Sequence, residues 1–172
     1  MELEKARAIA EGLKKLLEKG CTKIEIAGSI RRQKPEVGDI ELLCIPKFDG
    51  MVDLLDRELK WLIGTHILQH RLTKIGSVVY GPKNKLLRHV ASGIGLDIFS
   101  TTEDCWAVSL VVRTGGEATN KEIASLALER GMRFHAYGRG FTLADGSELV
   151  CHSEEDVFKA VGLAYLEPWE RR

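Results

Sequence analysis

Apolar residues at positions 3, 6, 9, 10, 13, 16 and 17 recur at helical spacing, which predicts an amphipathic helix over residues 2–19 that stops at Gly20. The period then changes. Residues 23–29 (KIEIAGS) alternate as a strand does and run into a polar loop, SIRRQKPEV. A second strand is expected over GDIELLCI, a turn over 46–50 and a helix over 51–68. Between 71 and 100 the pattern breaks into short β segments (RLTKI, SVVYG, KLLRHV, LDIFS) punctuated by Gly, Pro and Asn. The GxG at 93–95 suits either a phosphate-binding turn or a hairpin tip. It leads into a strand rather than a helix, which favours the hairpin.

After Ser100 the character shifts. Residues 105–116 (CWAVSLVVRTGG) are apolar and β-branched, compatible with helix or strand. NKEIASLALERG reads as a helix with Ile123, Leu126 and Ala127 inside and Gly131 as its stop. MRFHAY and the segment 141–143 are expected to form a small hairpin. Ser153 followed by Asp156 makes a capping box before a last short helix. No repeat or low-complexity linker interrupts the chain, and the one candidate lobe boundary falls near 101–105.

Composition narrows the class. The chain has 172 residues, 44% of them apolar, enough for a core in one compact domain or two small lobes. No apolar run approaches the roughly 20 residues that span a bilayer, so no membrane partner is expected. The opening MELEKARAIAEGLKK is acidic and Lys-rich, unlike a signal peptide, which leads to a cytoplasmic expectation. Cys21, Cys44, Cys105 and Cys151 lie far apart without a CxxC pair, so reduced thiols are expected rather than a zinc site or disulfide framework. The net charge is zero, 25 bases against 25 acids, but it is unevenly placed. No Asp or Glu occurs between Leu59 and Leu96, a stretch that carries Lys60, Arg71, Lys74, Lys83, Lys85 and Arg88; residues 144–172 hold seven acids. The basic stretch is either a solvated face or a phosphate-binding one.

The unit GSIRRQKPEVGDIE carries the candidate chemistry. Asp39 and Glu41 are two apart on a strand and so share one face, within an otherwise apolar segment. Asp97, the lone acid between Glu58 and Glu103, lies in the strand LDIFS. Two readings stay open. The pair can be edge charges that deter aggregation, with Asp97 a turn residue. Alternatively, three carboxylates on adjacent strands can hold two divalent cations about 3.5–4 Å apart, Mg²⁺ being the natural partner of hard oxygen ligands. The preceding Gly28-Ser29, with Arg31 and Arg32, offers a hydroxyl, backbone N–H groups and guanidinium donors suited to a triphosphate. There is no GxxxxGK[ST] and no GxGxxG phosphate loop; a GS loop with a downstream acidic pair points instead to nucleotidyl transfer.

GSIRR, five residues, then GDIE resembles the GS-x-RR…GD-x-D signature of the family X DNA polymerases in the nucleotidyltransferase superfamily. LDIFS, RTGGEATNK and the C-terminal EEDVFKAVGLAYLEPWERR follow in the family's order, and the last is close to the ends of its lambda and terminal transferase branches. The resemblance runs from about residue 21 to 172. It implies an α+β fold: a nucleotidyltransferase palm over 1–104, with a mixed or antiparallel sheet and two helices on one face, then a small α+β lobe over 105–172 that binds nucleotide and template. It implies DNA (primer-template or gapped) and nucleoside triphosphates as partners, and two Mg²⁺ ions as cofactor with Mn²⁺ as a substitute. By position, Asp39 and Glu41 would hold both metals and Asp97 the catalytic one. Ser29 and Arg32, with Gly28 and Gly38, would hold the β- and γ-phosphates. Thr114 and Gly115 would lie beside the incoming sugar, and Glu117 and Asn120 beside the incoming nucleotide. Lys121 would meet the templating base. Lys74, Lys83, Lys85 and Arg88 in the basic stretch are expected to contact DNA phosphate.

The sequence departs from the family at Glu41, where Asp is usual, and at Phe99, where polymerase beta has a base. Val112 and Arg113 replace the usual pair before the TG turn, and Ala124 replaces an Arg that touches template. Only 27 residues precede Gly28, which leads to the expectation that the lyase and helix-hairpin-helix domains are absent. Template-directed short-gap filling in DNA repair is the leading expectation. The alternatives are template-independent terminal transfer, a non-catalytic nucleic-acid or nucleotide-binding module with a decayed metal site, and a small-molecule or protein nucleotidyltransferase.

Overall fold

Helix α1 (Leu3–Leu17) buries Ala6, Ala10, Leu13 and Leu17, the stripe that its 3.6-residue period places on one side. The computed structural model, which describes all of residues 1–172, continues it through a single 3₁₀ turn (Glu18–Gly20) into strand β1 (Cys21–Ile26). The polar loop then begins as one helical turn, α2 (Gly28–Arg31), which the sequence pattern does not foretell. Next come β2 (Asp39–Pro46) and a minimal hairpin, β3 (Phe48–Asp49) with β4 (Val52–Asp53).

Helix α3 (Leu54–Gly64) is shorter than the 51–68 expected. Asp53 caps it by accepting the backbone N–H of Asp56 at 3.0 Å, which fixes the start. His66 adopts a φ of 59°, which ends it. Strands β5 (Leu68–His70), β6 (Asn84–His89) and β7 (Gly95–Ser100) complete this part. The strands expected at 71–75 and 77–81 are reduced to isolated bridges, Leu72 with Val78 and Tyr80 with Lys85. Leu72, Ile75 and Val78 are exposed, so no buried face drives extended pairing there. β6 and β7 pair antiparallel across the 93–95 turn, so that GxG is a hairpin tip.

The sheet order is β1-β2-β7-β6-β5. β2 and β7 run parallel, and every other neighbour is antiparallel. Ile40, Leu42, Cys44, Leu87, Leu96 and Ile98 share one core with the apolar stripes of α1 and α3. Both helices therefore cover the same face. The alternate residues of β2 and β7 point to the other.

Clustering of contacts separates two units, one of Met1–Ile30 with Lys34–Ser100, the other of Arg31–Gln33 with Thr101–Arg172. The second unit begins, after a 3₁₀ turn at Glu103–Cys105, with α4 (Trp106–Thr114), which resolves the helix-or-strand ambiguity in favour of helix. Helix α5 (Glu117–Glu129) precedes a three-stranded sheet of β8 (Arg133–Phe134), β9 (Gly140–Thr142) and β10 (Glu148–Val150), in the order β10-β9-β8. The expected hairpin is there, with a third strand in the short segment ELV that the sequence pattern does not foretell. Helix α6 (Glu154–Ala160) carries the expected capping box of Ser153 and Asp156, and a 3₁₀ turn (Pro168–Glu170) closes the chain. The core of this unit joins Val108 and Val111 to Ile123, Phe141, Val157 and Phe158. The architecture is α+β throughout.

Candidate active site

Parallel pairing of β2 with β7 sets Glu41 opposite Asp97 and Asp39 opposite Gly95. Neighbouring strands lie about 4.8 Å apart, so the three carboxylates expected to act together do emerge from one small area of one face. Ile40, Leu42, Leu96 and Ile98, the intervening residues, are fully buried on the other face and fix that orientation. A one-residue slip in either strand would send the acids into the core.

Arg71 runs between two of these acids. One guanidinium nitrogen donates to the Asp97 carboxylate, and the other lies 3.7 Å from Asp39 Oδ2. The pair is well shielded: the Arg71 side chain is 21% exposed and that of Asp97 13%. Gly95 makes this approach feasible, since a Cβ there would overlap the guanidinium. Glu41 leans the other way, against Gly28, where a Cβ would overlap its carboxylate. Gly28 also has a φ of 60°, so the absence of a side chain serves both the backbone and Glu41. In this arrangement no three acids converge on a common point. The donor set is hard carboxylate oxygen, the kind that a divalent cation prefers.

The turn between β1 and β2 is tied down by the backbone. Ala27 N–H donates to the Glu41 carbonyl at 2.9 Å, and Lys34 N–H to the Ser29 carbonyl at 3.0 Å. Ser29 is half-buried and Gly38 exposed.

In the second unit, Arg31 donates to Thr114 Oγ1 at 2.6 Å and to both carboxylate oxygens of Glu154 at 2.9 and 2.6 Å. Arg32 donates to the Thr114 carbonyl, and its Nε is buried without a partner. Thr114 is therefore held by both arginines. Gly115 follows with a φ of 73°, joined to Gly116 by a cis peptide. Asn120 donates its amide to the Val112 carbonyl at 2.9 Å, leaving its own Oδ1 buried and unpartnered. Glu117 and Lys121, one turn apart on α5, form an exposed ion pair at 2.6 Å. The ammonium of Lys121 holds the Glu117 carboxyl below its ordinary range.

Residues 109–172 match the family described as DNA polymerase beta thumb. The whole chain superposes on a structure of Leishmania infantum polymerase beta, solved as a ternary P/T complex. The TM-score is 0.77 and the identity 17%, covering 100% of this chain and 76% of that one. The chain has a polymerase beta-like fold. The thumb match supports the part of the resemblance carried by RTGGEATNK and the C-terminal run, and the superposition supports its fold.

Within this polymerase beta-like frame, the basic residues fare unequally. Lys74, Lys83 and Arg88 are exposed, as phosphate contacts require. Lys85 is not: it is 2% exposed, with its ammonium 5.5 Å from the Tyr80 ring, so it is removed from the expected phosphate contacts. The alternation of β6 turns it inward, which the charge pattern alone could not register.

Two parts of the arrangement escaped the sequence reading. One is Arg71, 26 positions from Asp97 and not distinguished from its basic neighbours. The other is a buried cluster in which Arg171 joins Arg31 on Glu154 at 2.8 Å. The sole sequence signal for it was Glu154 at the first position of a capped helix, and that reads equally well as a solvated acid.

Proposed function

We propose that this chain is a DNA-directed DNA polymerase that adds nucleotides to a primer 3′-hydroxyl and fills short gaps in DNA. The observation that carries the reading is the register of β2 with β7, which gathers three carboxylates on one face beside the Gly28-Ser29 turn, in a chain whose C-terminal part matches a polymerase thumb. The reaction is an in-line attack of the hydroxyl oxygen on the α-phosphorus. A P–O bond forms to the primer, the bond to pyrophosphate breaks, and the hydroxyl proton passes to solvent or base. Asp39, Glu41 and Asp97 would hold Mg²⁺, or Mn²⁺ in its place. That ion supplies charge neutralisation at the entering and leaving oxygens. Ser29 and Arg32 are assigned to the β- and γ-phosphates, with Gly28 and Gly38 allowing close backbone approach. Thr114 and Gly115 are assigned to the sugar, Glu117 and Asn120 to the incoming nucleotide, and Lys121 to the templating base.

An extension assay tests this. Primer alone, primer-template and gapped DNA are offered with each nucleotide in Mg²⁺ or Mn²⁺. Additions that follow the template are expected. Additions that ignore it would make the chain a terminal transferase. Retained DNA binding without incorporation in either metal would make it a binding module.

DNA affinity is expected to fall with salt. Replacing Lys74, Lys83 and Arg88 together with Ala should flatten the slope of log K against log salt by about 2–3, one released counterion per phosphate contact. Fluorescence anisotropy at several ionic strengths measures this, and an unchanged slope would remove these residues from the interface.

A further inference from the structure

Arg71 stands between two carboxylates assigned above to a divalent cation, and its placement is built in rather than incidental. Gly95 leaves the space for its guanidinium, and one nitrogen reaches Asp97 while the other faces Asp39. Its backbone is anchored too, through Arg71 N–H to the Leu86 carbonyl at 3.1 Å. The Asp97 side chain is 13% exposed and that of Asp39 42%, and carboxylates this close on neighbouring strands repel unless a positive charge separates them.

We propose that Arg71 is an internal counter-cation for the carboxylate site, which a divalent ion must displace to bind. The inference rests on the reading of Asp39 and Asp97 as metal ligands. When no ion is bound, the guanidinium offsets part of the charge of the two acids and keeps the β2/β7 face ordered. Guanidinium and divalent ion compete for the same oxygens, so each weakens the other by the same factor. Arg71 thereby raises the free cation concentration at which the site loads. Arg71 is a positioning residue that sets metal occupancy; it is not a catalytic one.

The test measures Mn²⁺ binding to the full chain by electron paramagnetic resonance of the free ion, alongside thermal melts with and without Mn²⁺. Arg71→Ala should tighten Mn²⁺ binding by about 5–150-fold, the range typical of a coupling free energy of about 1–3 kcal/mol. Its melting point should be lower without Mn²⁺ and recover more on Mn²⁺ addition than that of the unaltered chain. Gly95→Ala provides a second route, because it keeps the guanidinium but fills its berth, with a small yield required of Asp39 Cβ at 3.2 Å. It should tighten binding in the same direction even if Arg71→Ala fails to fold. Arg71→Lys should restore weaker binding.

Unchanged or weaker Mn²⁺ affinity in both Arg71→Ala and Gly95→Ala would overturn the proposal. Asp97→Asn separates the two levels of inference. If it weakens Mn²⁺ binding while the Arg71 and Gly95 variants change nothing, the counter-cation role alone fails. If it too leaves binding unchanged, the carboxylates are not the metal site, and both readings fall.

Discussion

Replacement of Asp97 with Ala is expected to abolish nucleotidyl transfer while leaving nucleotide binding largely intact. The register of β7 places Asp97 opposite Glu41, and its side chain is the more shielded of the two acids that Arg71 contacts. A carboxylate there would hold the divalent ion that offsets charge at the attacking oxygen, a contribution of several kcal/mol that exists in the transition state and hardly at all in ground-state nucleotide binding. At 1.4 kcal/mol per decade, the single-turnover rate should drop by about 10³-fold or more. Nucleotide dissociation constants should move by less than about threefold, because the triphosphate contacts assigned to Ser29 and Arg32 remain. Asp97→Asn is the sharper variant: it preserves volume and an acceptor for Arg71 while removing the negative charge. Quenched-flow extension and equilibrium nucleotide titration read the two effects separately. Unaltered turnover in Asp97→Asn would take this residue out of the reacting centre.

What could be read from sequence follows the range of the interaction. Helix α1, strands β2 and β7 and the capped start of α6 were legible, since period, alternation and an S-x-x-D cap act over three or four residues. The shared face of Asp39 and Glu41 was legible for the same reason. That Asp97 pairs in register with Glu41 could be expected only from the family resemblance, because strand pairing across more than fifty residues leaves no local trace. Arg71 was unreadable. Nothing in RLTKI distinguishes an arginine aimed at a carboxylate from one in solvent, and the strand expected there does not form beyond a single bridge. Lys85 shows the converse, a charge counted toward a surface stretch that β6 in fact turns inward. Counting the acids of residues 144–172 together misled in a similar way. Glu154, one of the seven acids counted there, is 8% exposed and holds a charge cluster together.

Removal of that carboxylate is expected to be the most destabilising single change in the second unit. Glu154 accepts three hydrogen bonds from Arg31 and Arg171, at distances between 2.6 and 2.9 Å. Arg171 is fully buried, its guanidinium 5.1 Å from the Phe158 ring and 5.4 Å from that of Tyr165. Its Nε donates to the Leu166 carbonyl at 2.9 Å, and its Nη2 has no partner. Without Glu154 the fully buried Arg171 would lose its ion-pair partner. Breaking one side of such a buried arrangement costs about 3–5 kcal/mol. For a unit of this size that corresponds to a fall in melting temperature of more than about 12 °C. Glu154→Gln, which keeps the shape and one acceptor, should lose less. Glu155→Ala, on the exposed neighbour, should lose about 0.5 kcal/mol or less. Acid should reproduce part of the effect. Burial pushes the Glu154 carboxyl up, but the hydrogen bonds and charges of Arg31 and Arg171 outweigh it and hold the carboxyl below its ordinary value of 4.5. A depressed folded-state pKa means this stabilisation is complete above pH 4.5 and is lost as pH falls through the lower folded value. Urea unfolding followed by Trp fluorescence at pH 7 and across the acid range measures both. A loss below about 1 kcal/mol for Glu154→Ala would show that the arginines find other partners or water, and that the cluster does not hold the unit together.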